Sequence, residues 1–132
     1  MVVGSSTART CSAAWMGRSA VRVYENIASE ANWTTVRLIG AGNGGANRAA
    51  LGARVRVTAG GVTQTREVVN TWGLAGLSAE LPVHVGLGQT CTIDRIEVRW
   101  PDATNTVETF TDVRANYAVE ITQGSGRVRY LR

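Results

Sequence analysis

The chain has 132 residues, 44% of them hydrophobic, and a formal net charge of +4 whose 14 basic residues are all arginine. This length and apolar content describe one globular domain, able to bury about two thirds of its unfolded surface, and exclude a disordered chain. No apolar run nears the ~20 residues of a membrane-spanning helix, so no membrane insertion is expected.

The arginines are spread along the chain and interleaved with Thr and Glu. They read as the solvated faces of strands, whose long stems also cover apolar area. No nucleic-acid partner is expected from them. Residues 1–20 read as a flexible tail or linker and residues 21–132 as a single β domain. The N-terminus shows no basic stretch leading into an apolar one, as a secretory leader would, which is uninformative for a segment cut from a longer protein.

Residues 12–20, around Trp15 and Met16, are compatible with a short helical turn. Val21 to Ile27 suggests a strand, with a helix over 21–31 as the competing reading. Trp33 to Ile39 is β by composition, and Gly40 to Asn47 is a glycine-rich loop. Residues 53–69 are the most informative. Ala53, Val55 and Val57 alternate with Arg54, Arg56 and Thr58, the period of a half-buried strand. Gly60-Gly61 then supplies two positions free to take φ > 0, as a tight hairpin turn requires. A two-residue turn there sets Arg54 opposite Glu67 and Arg56 opposite Thr65, an opposite-charge register worth ~0.2–1 kcal/mol per pair.

Thr71 to Pro82 is a second irregular stretch. Val83 to Gly88 reads as a short strand. From Ile93 to Trp100 the residues Ile96, Val98 and Trp100 share one face, and Arg95, Glu97 and Arg99 the other. Pro101 ends this strand, and Asp102 to Asn105 make a turn. Thr106–Phe110, Tyr117–Ile121 and Arg127–Leu131 complete the set, with Tyr117, Val119 and Ile121 on one face. No helix of ten residues is expected. About seven or eight short strands separated by Gly, Asn and Asp turns predict an all-β, antiparallel sandwich or barrel-like sheet.

Gly40-Ala-Gly42-Asn-Gly-Gly45 matches the Gly-x-Gly-x-x-Gly fingerprint of dinucleotide-binding folds, with Glu67 about twenty positions on. Only Ala46 to Gly52 separates this loop from the next strand, too short for the crossover of a dozen or more residues that a parallel βαβ unit needs. A nucleotide-binding enzyme fragment using Gly40, Gly42 and Gly45 is therefore a remote alternative, and an inter-strand loop the preferred reading. His84, the only histidine, sits between Val83 and Val85 and reads as a hydrogen-bonded structural residue. No nucleophile elbow, zinc-protease or calcium-loop motif occurs. No enzyme activity, cofactor or metal is expected. Of the four tryptophans, Trp100 reads as core, Trp33 as half-buried and Trp72 as the candidate exposed platform for a ligand. Asn43, Asn47 and Arg48 join Trp72 as candidate ligand contacts. Cys11 and Cys91 allow one long-range disulfide or two unrelated thiols.

An ordered set of segments resembles the ASPIC/UnbV domain family. It runs Asn32-Trp33-x-x-Val36-Arg37-Leu38, Asn47-Arg48-x-x-Leu51-Gly52-Ala53-Arg54-Val55 and Gly60-Gly61-x-x-Gln64-x-Arg66-Glu67. His84-Val85-Gly86-Leu87-Gly88 and Ile96-Glu97-Val98-Arg99-Trp100-Pro101 come next in the same order. The similarity spans roughly residues 32–122. Upstream, Tyr24-Glu25-Asn26 looks like the end of an FG-GAP propeller region. The resemblance implies a module at the C-terminal end of bacterial, mostly secreted β-propeller proteins, with relatives among the cartilage acidic proteins and proteins encoded with enediyne biosynthesis clusters. It implies a secreted or cell-surface location, which favours a Cys11–Cys91 disulfide. A complete β pattern without a catalytic constellation makes docking on the propeller of the parent chain or on another extracellular protein the expected role, and Trp72 with the Asn/Gly loops makes a glycan the second candidate partner. Where family members often carry a Gly-Tyr-Leu-Ser-Gln-like stretch, this chain has Trp72-Gly-Leu-Ala-Gly-Leu-Ser. The family implies no catalytic residue.

Overall fold

The computed structural model describes residues 9–13, 21–25, 31–70 and 81–131, with side chains described from residue 31 onward. The chain divides into two compact units, Met1–Ala31 and Asn32–Arg132. In the first, β1 (Arg9–Ala13) pairs antiparallel with β2 (Val21–Glu25), Arg9 lying opposite Glu25. A strand therefore stands inside the stretch expected as a tail, and Val21–Glu25 is extended, not the first turn of a helix. Alternating β-branched Val21 and Val23 favour that outcome. The helical turn expected within residues 12–20 falls largely outside the described residues.

The second unit runs β3 (Asn32–Ile39), β4 (Arg54–Ala59), β5 (Val62–Glu67), β6 (Val83–Gly88), β7 (Thr92–Arg99), β8 (Val107–Arg114), β9 (Tyr117–Thr122) and β10 (Val128–Leu131). These strands form two four-stranded sheets, ordered β10-β9-β3-β6 and β5-β4-β7-β8. Neither closes into a barrel, and the architecture is the expected all-β sandwich. Among the described residues there is no helix, and so none long and apolar enough to cross a membrane.

The central hairpin has the expected register, with Arg54 opposite Glu67 and Arg56 opposite Thr65. Gly60 and Gly61 take φ of 55° and 78° at its turn, where a side chain would be strained. In β4 the side chains of Val55, Val57 and Ala59 are buried, while those of Arg54 and Arg56 are exposed. The same period holds in β6, where Val83, Val85 and Leu87 point inward. The inward residues of both sheets form one apolar cluster. Val36, Leu38, Val85, Val119 and Ile121 come from one sheet and Val55, Val57, Ile96, Val98 and Phe110 from the other. Trp100, fully buried, closes this core at the end of β7, as expected. Among the described residues Thr34 is the buried polar side chain; its Oγ1 donates to the Tyr117 carbonyl at 3.0 Å.

One pairing departs from the antiparallel expectation. β3 and β9 run parallel, with Thr34 opposite Tyr117 and Ile39 opposite Thr122. No crossover helix is needed, because the chain between them travels through the opposite sheet and back, far more than the dozen residues a parallel connection requires. β8 also runs beyond the expected Phe110. Asp112, at φ 55°, interrupts its alternation, so that Phe110 and Val113 are both buried.

Trp100→Ala should destabilise the second unit by about 3–5 kcal/mol, the range for emptying a fully buried aromatic site, read as a lowered urea midpoint. Trp100→Phe, which keeps most of the volume, should cost less.

Candidate functional site

The glycine loop after β3 is closed by its own backbone. The Gly40 N–H donates to the Arg48 carbonyl at 3.2 Å, Gly42 to Ala46 at 2.9 Å and Gly45 to Gly42 at 2.7 Å. The Ala41 and Ala46 amides both donate to Gln123 Oε1, at 3.1 and 2.8 Å. Five loop amides are thus engaged internally, and the loop passes through a pair of turns into β4. A phosphate cradle needs those amides unpaired and a helix behind them. The glycines have packing reasons instead. A Cβ on Gly40 would overlap the carbonyls of Asn47 and Ala46, and one on Gly45 would lie 2.8 Å from Gln123 Oε1.

Gln123, at the end of β9, is the link that sequence reasoning missed. Its Nε2 donates to Asp102 Oδ2 at 2.8 Å. Asp102 Oδ1 in turn accepts from the Thr104 amide (3.1 Å), the Thr104 hydroxyl (3.1 Å) and the Thr106 amide (2.9 Å). One amide side chain therefore ties the β3–β4 loop to the β7–β8 turn. Asp102 does the turn-making work expected of it. Its pKa falls from 3.8 to about 2, chiefly through hydrogen bonds from Thr106, with Thr104 adding to them.

Of the candidate ligand contacts, Asn43, Asn47 and Arg48 lie on this one loop, all three exposed. Asn47 is engaged at both ends of its amide: Nδ2 donates to the Leu51 carbonyl and Oδ1 accepts from the Leu51 amide, each at 2.9 Å. The Arg48 side chain lies over Gly42, its Nε 3.3 Å from where a Cβ would stand. Trp72 lies outside the described residues. Cys91 is an exposed free thiol; the side chain of Cys11 lies outside those described. His84 Nδ1 is 2.9 Å from Thr35 Oγ1, the hydrogen-bonded role expected of it. Among the described residues no three His, Cys, Asp or Glu side chains gather as a metal site.

The surfaces with most chemistry are the two outer sheet faces. On β5-β4-β7-β8 the register lays out three rows across the strands. Glu67, Arg54, Arg99 and Val107 form one; Thr65, Arg56, Glu97 and Thr109 the next; Thr63, Thr58, Arg95 and Thr111 the third. Glu97 sits between Arg56 and Arg95, at 3.6 and 3.5 Å. On β10-β9-β3-β6, Glu120 is flanked by Arg37 at 3.7 Å and Arg129 at 3.3 Å. On that same face Trp33 is 46% exposed, more open than the half-buried position expected. Its neighbour across the strand, Gly86, has open space where a side chain would stand.

The lowered Asp102 pKa sets a direction for acid stability. A carboxylate with a depressed folded pKa stabilises the fold above its ordinary value, and that contribution is lost as pH falls through the folded one. Wild-type melting temperature should fall as pH drops from about 3.8 to about 2. Asp102→Asn should melt lower near neutral pH and show a flatter curve across that window, measured by thermal denaturation followed by circular dichroism.

No curated protein and no solved structure matches the chain. The family model for ASPIC and UnbV matches residues 42–128, from the second glycine of the loop through β4 to β9 and on to the first residue of β10. With that match over well more than half its length, the chain belongs to the ASPIC and UnbV family.

Proposed function

We propose that this domain is a non-enzymatic binding module, working outside the cell as the accessory domain of a bacterial β-propeller protein. It docks on the propeller of its parent chain or on another extracellular protein. The observation that carries this reading is the distribution of polar chemistry. Thr34, Asp102 and Gln123 spend their polar atoms on holding strands and turns together. The charged side chains lie spread over two outer sheet faces. A spread surface of arginine and threonine suits recognition of an extended partner, whereas acid–base catalysis needs groups converging on one reacting atom.

Deleting residues 32–132 from the parent should abolish binding to its partner, or loosen the propeller, while every chemical activity of the parent survives. Turnover by the isolated domain would overturn the proposal.

Trp33 favours a second reading, a carbohydrate-binding module. A broad aromatic surface beside a bare glycine offers a platform on which a sugar ring can stack. A glycan array should then give hits with wild type that Trp33→Ala loses; the same array with Trp72→Ala tests the other tryptophan. No hit with the intact domain ends this reading.

A further inference from the structure

We propose that the outer face of the β5-β4-β7-β8 sheet binds an anionic polysaccharide, whose carboxylate or sulfate groups are held by Arg54, Arg56 and Arg99. This rests on the binding-module reading, leaves protein docking to the rest of the surface, and names one face and one ligand chemistry beside it.

The first observation is a pairing that folding alone does not favour. β4 and β7 place Arg54 directly opposite Arg99. Like charges facing each other across an antiparallel pair oppose the pairing. The ion pairs on this face belong to Arg56 and Arg95, which share the single carboxylate of Glu97. Arg54 and Arg99 form none with a described residue. Arg99 is instead held by Asn105, whose Oδ1 accepts from its Nη2 at 2.9 Å. A guanidinium steered by a neutral partner keeps its full charge and its remaining donors.

The second observation is shape. Arg54, Arg56, Glu97, Arg99 and Val107 line a shallow depression of about 260 Å³. Three guanidinia around one carboxylate, with Glu67 across the strand from Arg54, still leave it net positive, in a chain that is already cationic. Bidentate guanidinium forks match carboxylate and sulfate oxygens.

The third observation selects the ligand class. Both strands carrying these arginines are interior to their sheet, so their backbone groups are used in the ladders. A peptide adding by main-chain hydrogen bonds has no edge to join here. Val107 is the one apolar side chain in the three rows, and no aromatic stands among them. A protein partner would lack apolar anchors to bury, and single-stranded nucleic acid would lack stacking platforms. Threonine hydroxyls at positions 63, 65, 109 and 111 surround the arginines instead. Hydroxyl groups mixed with fixed cations suit a ligand that is itself rich in hydroxyls and regularly charged.

The test uses the 132-residue chain and titration calorimetry at low salt with alginate, dextran sulfate, neutral dextran, poly-glutamate and duplex DNA. Alginate or dextran sulfate should bind, and binding should weaken steeply with added salt; neutral dextran should not bind. Binding by alginate but not dextran sulfate would identify a carboxylated ligand, and the converse a sulfated one. Arg54→Gln/Arg99→Gln should weaken the bound polysaccharide at least tenfold and still fold, because the repulsion removed offsets the Arg54–Glu67 pairing and the Arg99–Asn105 hydrogen bond lost. Arg37→Gln, on the other sheet, should bind as wild type. Arg54→Lys/Arg99→Lys, which keeps the charge, should recover part of the affinity, and serves as the comparison if the glutamine pair fails to fold. No binding of either polysaccharide, or equal binding by the glutamine pair, would overturn the proposal. Tighter Arg54-dependent binding of poly-glutamate or DNA would do the same and reassign the face. Binding of the parent propeller by the same variants is scored separately: a domain that holds its propeller and ignores both polysaccharides loses this inference and keeps the broader reading.

Discussion

Neither of the two sheets can stand without the other. Each has one apolar face, and that face is covered by the opposite sheet: Val36, Val85 and Val119 on one side, Val55, Ile96 and Val98 on the other. Connectivity enforces the same dependence. The chain places β3 in one sheet, β4 and β5 in the second, β6 back in the first, β7 and β8 in the second, and β9 and β10 in the first. Neither of these two sheets is built from a continuous run of sequence, so local hairpins such as β4–β5 gain most of their stability from strands far along the chain. The loops that cross between layers are therefore structural joints. The Gln123 link, which holds the glycine loop and the Asp102 turn together, lies at one of them.

Much of this is legible in the residues. Strict alternation locates β4, β7 and β9, and paired glycines locate the central turn and its register. Pro101 and Asp102 mark the end of β7. The period of two is a local property, and so it is readable without knowing the partner strand. Sheet order is not readable. Thr34 of β3 reaches its parallel partner 83 residues away, and nothing in either strand names the other. β8 reads as ending at Phe110 because Asp112 breaks its alternation through a positive φ that composition does not announce.

The candidate site divides along the same line. Spacing is enough to judge the glycine fingerprint, since a short connection into a hairpin leaves no room for a helix. Asn47 reads as a ligand contact because an exposed Asn in a Gly-rich loop has the same composition whether it grips a ligand or its own backbone. Only the geometry shows it gripping Leu51. Gln123 carries no signal at all: a single amide after a strand has neither periodicity nor motif. The arginine face is half visible. Arg54 and Arg56 on β4, and Arg95 and Arg99 on β7, each read as solvent-facing. That Arg54 faces Arg99 depends on β4 lying beside β7, a non-local fact.

The parallel seam between β3 and β9 has a consequence for how the protein is made. On a ribosome the chain emerges in order, and β3 leaves long before β9 is translated. Until then β3 can pair only with β6, leaving its other edge and the apolar side chains of Val36 and Leu38 incompletely covered. A nascent chain halted in β8 thus presents a bare strand edge to every neighbour. The arrival of β9 supplies the partner that closes this edge of β3.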